Sequence, residues 1–237
     1  MTICHGKPPV RCGGPYSHDH PFPYVVSLNI DGYNNKFLDI TSASCLVGKV
    51  TRPYRNLAVI TGLPVANFRQ AYSADVILVP EQYQPENKTS SHDLALIKLV
   101  YPIKLGYHAD QIVPSKTPLS SGLAAFTPGW TKLVAHFGDI KTEFTPVLLS
   151  TITAEECTAY TSRPVSVDQI CGQGEIRNKG VCAGDNGNPL VHNNQLIGIA
   201  SGKVACGTGE SDVFTSVYFY YDWIDGYITE KIPIPSE

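Results

Sequence analysis

Apolar segments in this chain never run long. Tyr24–Leu28, Ala74–Val79, Asp93–Leu99, Pro146–Ser150 and Gln195–Ala200 each hold five to seven residues. They are rich in Val, Ile and Leu and are separated by Pro, Gly and Asn. Many short apolar runs between turn residues predict an all-β barrel or sandwich. Two stretches depart from this. Thr153 precedes Ala154-Glu155-Glu156-Cys157, with a glutamate three residues on, which predicts a capped helical turn. Trp223, Ile224, Tyr227 and Ile228 recur at helical spacing between Tyr220 and Lys231, and Pro233 stops the run.

With 237 residues, 43% of them hydrophobic and only 16% charged, the chain can bury a core and is not a disordered segment. One domain over 1–237, with 1–10 as a short N-terminal extension, is expected. The net charge of -3 offers no bulk attraction to nucleic acid or an anionic membrane. Seven cysteines among many Pro and Gly fit an oxidising compartment, and the odd number leaves one unpaired or joined to another molecule. A secreted protein is therefore expected. Met1-Thr2-Ile3-Cys4-His5 has no apolar leader core, so the leader would lie outside this sequence, with Met1 an added start residue. Asn87-Lys88-Thr89 is the one candidate glycosylation site. His18-Asp19-His20 has the residue types of a metal site but no second cluster nearby, so no metal and no cofactor is expected.

The segment Gly180-Val181-Cys182-Ala183-Gly184-Asp185-Asn186-Gly187-Asn188-Pro189-Leu190-Val191 carries the most information. It resembles the signature around the nucleophile of chymotrypsin-family serine proteases. Phe22–Leu28, Ser91–Leu99, Pro128-Gly129-Trp130, Asp212–Val217 and Asp222-Trp223-Ile224 resemble further segments of that family, in its order. The resemblance spans about Arg11 to Ile228. It implies two six-stranded antiparallel β-barrels with a C-terminal α-helix and a cleft between the barrels.

The same resemblance assigns the site. Asp93 falls at the triad aspartate, Ser44 at the position of the general base, and Asn186 at that of the nucleophile. A serine hydroxyl has no basicity near neutral pH, and a carboxamide is not a nucleophile. The expectation is therefore a chain that is no enzyme. Gly184 and Asn186 supply the former oxyanion-hole amides. Gly180, Lys203 and Asp212 fall at the former substrate pocket, and a Lys203–Asp212 contact closing it is the expectation. Asp185 would pair with a new N-terminus, but Arg11-Cys12-Gly13-Gly14 is a poor match to the activation segment. Asn188 adds bulk at a glycine position, and Ser201 matches a residue that hydrogen-bonds the aspartate. His92 reads as structural, on the argument that neighbouring strand residues face opposite ways.

Two bridges, Cys157–Cys171 and Cys182–Cys206, are implied by the family. Cys4, Cys12 and Cys45 are left for one bridge and one thiol, and sequence does not choose between the pairings.

The C-terminal third resembles arthropod chymotrypsins, and in particular the inactivated protease paralogues of the scabies mite, relatives of the mite group 3 allergens. That resemblance implies a secreted, monomeric binding protein in immune evasion, acting on host complement or other defence proteins. A residual hydrolase and a decoy or cofactor in an arthropod immune protease cascade are the alternatives.

Overall fold

The structure is a computed structural model that describes residues 2–4, 26–29, 38–62, 69–86, 89–107, 109–134, 140–161, 164–174, 185–201, 211–229 and 232–234. The first sheet holds β1 (Thr2–Cys4), β2 (Val26–Asn29), β3 (Leu38–Thr41), β4 (Ala58–Thr61), β5 (Gln70–Leu78) and β6 (Ala95–Leu99). Their order is β1-β2-β4-β5-β6-β3. The second sheet holds β7 (Val113–Pro114), β8 (Ala124–Val134), β9 (Ile140–Ile152), β10 (Gln169–Gly174), β11 (Pro189–His192), β12 (Gln195–Ala200) and β13 (Asp212–Ser216). Here β11 pairs with both β8 and β12, so six strands close on themselves and β7 is appended in parallel to β12. The two-barrel expectation holds. Closure and the parallel pairing of β1 with β2 are details that no local pattern encodes.

Strand β6 shows how two cores share one strand. Side chains alternate across a strand with a period of two. Ala95, Ile97 and Leu99 turn into the first barrel, where they meet Leu57, Val59 and Tyr72. Leu96, with Leu94 just ahead of the strand, turns the other way and meets Leu196, Ile199, Val217, Tyr220 and Ile224. That second cluster is the seam between the barrels, and helix α2 (Tyr221–Ile228) caps it. The second barrel fills with Leu149, Ile170, Leu190, Ile197 and the fully buried Phe214. Burying a side chain of this size is worth about 2–3 kcal/mol. Gly198 is needed beside Phe214, because a Cβ there would lie 3.0 Å from the phenylalanine Cβ and 3.1 Å from Ile170 Cδ1.

The short helix α1 (Ala154–Cys157) forms for the reason the sequence suggested. Thr153 Oγ1 accepts from the Glu156 N–H at 3.3 Å, and Glu156 Oε2 accepts from the Thr153 N–H at 2.9 Å. A hydrogen bond from Ser121 and these contacts hold the Glu156 carboxyl below its ordinary range. Cys157 at the end of α1 is joined to Cys171 in β10.

Candidate functional site

The site lies at the seam, where the segment entering β6 meets β13, the end of β12 and a 3-10 turn of the first barrel, Ala43–Cys45. Asp93 is fully buried. Its carboxylate accepts three hydrogen bonds: Oδ1 from the Ser44 N–H at 2.7 Å, and Oδ2 from Ser44 Oγ at 2.9 Å and Ser201 Oγ at 2.8 Å. Its backbone carbonyl accepts from Thr215 Oγ1 at 2.9 Å. Burial pushes the Asp93 carboxyl above its ordinary range, against the opposing pull of those donors and of the Lys49 charge.

Ser44 stands between Asp93 and Asn186. Asn186 Nδ2 donates to Ser44 Oγ at 3.5 Å, so aspartate, serine and asparagine form one chain of contacts. The 3-10 turn that sets Ser44 is closed by Cys45 N–H to Ser42 O at 3.1 Å and Leu46 N–H to Ala43 O at 2.9 Å. Cys45 is buried, and its thiol lies 3.0 Å from Ser42 Oγ and donates to the Asn186 carbonyl at 3.4 Å. Lys49 Nζ donates to the Ser44 carbonyl at 2.6 Å from the exposed side.

The stretch before Asp93 is turned tightly. Ser90 and His92 both take left-handed backbone, with φ of 53° and 59°. Such residues persist only when their surroundings fix them. Here Gln169 Nε2 donates to the carbonyls of Thr89 and Ser90, at 2.9 and 3.1 Å. The His92 N–H donates to Asp168 Oδ2 at 2.6 Å, and Leu94 N–H closes on the His92 carbonyl at 2.8 Å. The His92 ring, 26% exposed, sets Nδ1 against the Tyr220 hydroxyl and 3.9 Å from Asp168. Burial, with the Asp168 charge beside it, pushes the Tyr220 phenol well above its ordinary range.

Around Asn186 the turn is fixed by backbone contacts from Gly187 N–H to Ala200 O at 2.8 Å and Asn188 N–H to Asp185 O at 2.9 Å. Gly187 has φ of 88°, which glycine adopts without strain. Asn188 is fully buried and donates from Nδ2 to the Pro128 carbonyl at 2.7 Å, so the added side chain ties the site to β8. Asp185 and Asp212 are both buried, the latter in β13 opposite Gly172.

The structure therefore brings Ser44, Asp93 and Asn186 together with Ser201. Gly180, Cys182, Gly184, Lys203, Cys206 and Asn87 lie outside the described residues, as do Cys12, His18 and His20. Neither the Cys182–Cys206 bridge nor the Lys203–Asp212 contact can be placed on it. Among the described residues no cluster of three or more metal-ligating side chains occurs. Lys49, Asp168 and Gln169 stand in no motif, and Tyr220 enters the sequence pattern only as the start of the C-terminal helical run.

Two barrels with an aspartate buried at their seam and a tight turn over Asp185–Asn188 joined to it through Ser44 define the class of chymotrypsin-like serine proteases. The Trypsin family model matches residues 11–224, and the chain belongs to that family. Among its relatives, Chymotrypsin-2 of Vespa crabro is 30% identical over 90% of this chain and 97% of its own length. Trypsin-3 of Homo sapiens is 26% identical over 90% of this chain and 70% of its own length. The solved structure of neuropsin, a serine protease of mouse brain, shares the fold with a TM-score of 0.67 at 21% identity, covering 83% of this chain and 86% of that one.

The expectation that this chain is no enzyme is corrected by these findings. Its relatives bear the names of proteases. Ser201 Oγ still donates to Asp93 Oδ2 at 2.8 Å, while the His92 ring turns to Tyr220 and Asp168. His92 sits in a left-handed turn ahead of β6 and not on a strand, so the alternation argument does not apply to it.

Proposed function

We propose that this chain acts by binding a protein partner on its trypsin-like frame, and that the partner is a host-defence protein such as a complement component. The observation that carries this reading is the closure of the Asp93 hydrogen bonds within the chain, by Ser44 and Ser201. A centre knitted in this way makes the frame rigid, and a preformed surface binds without the cost of ordering itself. Loops on a rigid scaffold are where recognition concentrates. The resemblance of the C-terminal third to arthropod chymotrypsins and to mite group 3 allergen relatives supports a secreted protein of immune evasion. The Cys157–Cys171 bridge fits an extracellular setting. A monomer of one domain, without cofactor and without affinity for nucleic acid, completes the reading.

Interferometry with the immobilised chain and purified complement components tests it. Saturable binding to at least one component is expected, and absence of binding to all of them refutes the complement assignment.

A second reading, an atypical hydrolase, is favoured by the Ser201–Asp93 contact and by the protease names of the relatives. Cleavage of a broad peptide library that disappears in Asp93→Ala would establish it, the variant excluding a contaminant.

A further inference from the structure

We propose that Ser44 is itself a nucleophile, an acyl acceptor that Asp93 serves as general base, and that the chemical class it takes is the activated ester. The inference goes beyond the binding reading and does not depend on it.

Ser44 is half-buried, and its hydroxyl lies 2.9 Å from the fully buried Asp93 carboxylate, with Ser42 Oγ a longer second contact at 3.3 Å. That is the distance a general base needs to take the proton as the oxygen attacks. The same carboxylate is fixed from two other sides, by the Ser44 N–H and by Ser201 Oγ, so it cannot swing away. The Ser44 backbone is equally fixed, by the 3-10 turn and by Lys49 Nζ on its carbonyl. Nucleophile and base are thus held within hydrogen-bond reach by rigid elements, which is the geometry that makes attack effectively unimolecular. Asn186 Nδ2, at 3.5 Å from Ser44 Oγ, is a weak partner for the resting hydroxyl and a neutral N–H donor that can turn to the charge developing on the ester oxygen.

The step balances without any further reagent. The Ser44 Oγ–H proton passes to Asp93 Oδ2 while the Oγ–C bond forms, and the ester C–O bond breaks as the tetrahedral intermediate collapses. The departing alkoxide or phenoxide takes the proton back from Asp93. Water, giving its proton to the same carboxylate, then cleaves the acyl–Ser44 ester and restores the hydroxyl. Activated esters fit because their leaving groups depart with little help.

A fluorophosphonate probe on the purified chain, followed by digestion and peptide mass spectrometry, tests this. Attack by Ser44 Oγ forms an O–P bond, expels fluoride and leaves a stable adduct. The expected result is an adduct on the peptide bearing Ser44, absent in Ser44→Ala, with a labelling rate in Asp93→Asn at least about 100-fold lower. Circular dichroism checks the fold of both variants, and if Ser44→Ala does not fold, the adduct map of the unchanged chain and the Asp93→Asn rate decide. No adduct at Ser44 under saturating probe overturns the proposal, as does an adduct at Ser44 whose rate is unchanged in Asp93→Asn. Either result leaves complement binding untouched, since that is measured without the probe.

Discussion

Two fully buried aspartates, Asp93 at the end of one short turn and Asp168 packed against it from ahead of β10, are held in different ways. Asp93 has both carboxylate oxygens engaged, by donors from the first barrel and from the end of β12. Asp168 offers only Oδ2, to the His92 N–H and, at 3.4 Å, to the Tyr220 hydroxyl, while its Oδ1 has no hydrogen-bond partner among the described residues. The two divide the work. Asp168 gives its hydrogen bonds to the backbone of the turn, and Asp93 organises the side chains of Ser44 and Ser201. A position in the fold, more than residue type, decides which aspartate is chemical and which is structural.

The sharpest way to break this contrast is to remove the structural member. Asp168→Ala leaves the His92 N–H without its acceptor, while the Tyr220 hydroxyl keeps His92 Nδ1, so a loss of roughly 2–3 kcal/mol in urea unfolding is expected. A loss below about 1 kcal/mol would mean that the turn is held elsewhere. Next comes the bridge anchoring β10, three residues beyond Asp168. It closes a sequence separation of 14, and removing it by Cys157→Ala with Cys171→Ala should cost about 3 kcal/mol in the same assay.

The chemical member is read by pH. Burial raises the Asp93 carboxyl in the folded chain above its ordinary value of 3.8. The folded state then binds the proton more tightly than the unfolded one. That contribution to stability is full below the unfolded value and is lost as pH rises through the folded one. Asp93→Asn should flatten this part of the stability profile, and an unchanged slope would place its origin at another group. The smallest effect falls on Tyr83, whose phenol is pushed up to about 12 by burial first and then by the Asp93 and Cys45 charges. In Asp93→Asn its absorbance titration should move back slightly toward 10.0, because burial remains.

Much of this was legible in the sequence. Short runs of Val, Ile and Leu gave the β class, Thr153 with Glu156 gave the capping box, and the segment around Asn186 gave the two barrels by resemblance. Ser44, Asp93, Asn186 and Ser201 were all placed in one site by motif. What escaped were contacts made by residues far apart in the chain. Asp168 reaches the His92 N–H across a separation of 76 residues, and Gln169 reaches Thr89 across 80. Neither residue belongs to a local pattern, so only the packing of β10 against the turn reveals them. His92 misled because its neighbours read as strand, while its left-handed backbone is imposed by tertiary contacts. Lys49 was missed because it serves a backbone carbonyl, which any exposed lysine could do.

A complement-mediated lysis assay in serum, with the purified chain titrated in and the heat-unfolded chain as control, addresses the central claim of protein recognition on a trypsin-like frame most directly. The account predicts a dose-dependent fall in lysis with the folded chain and none with the unfolded one. Lysis that stays constant at saturating chain concentration would contradict it.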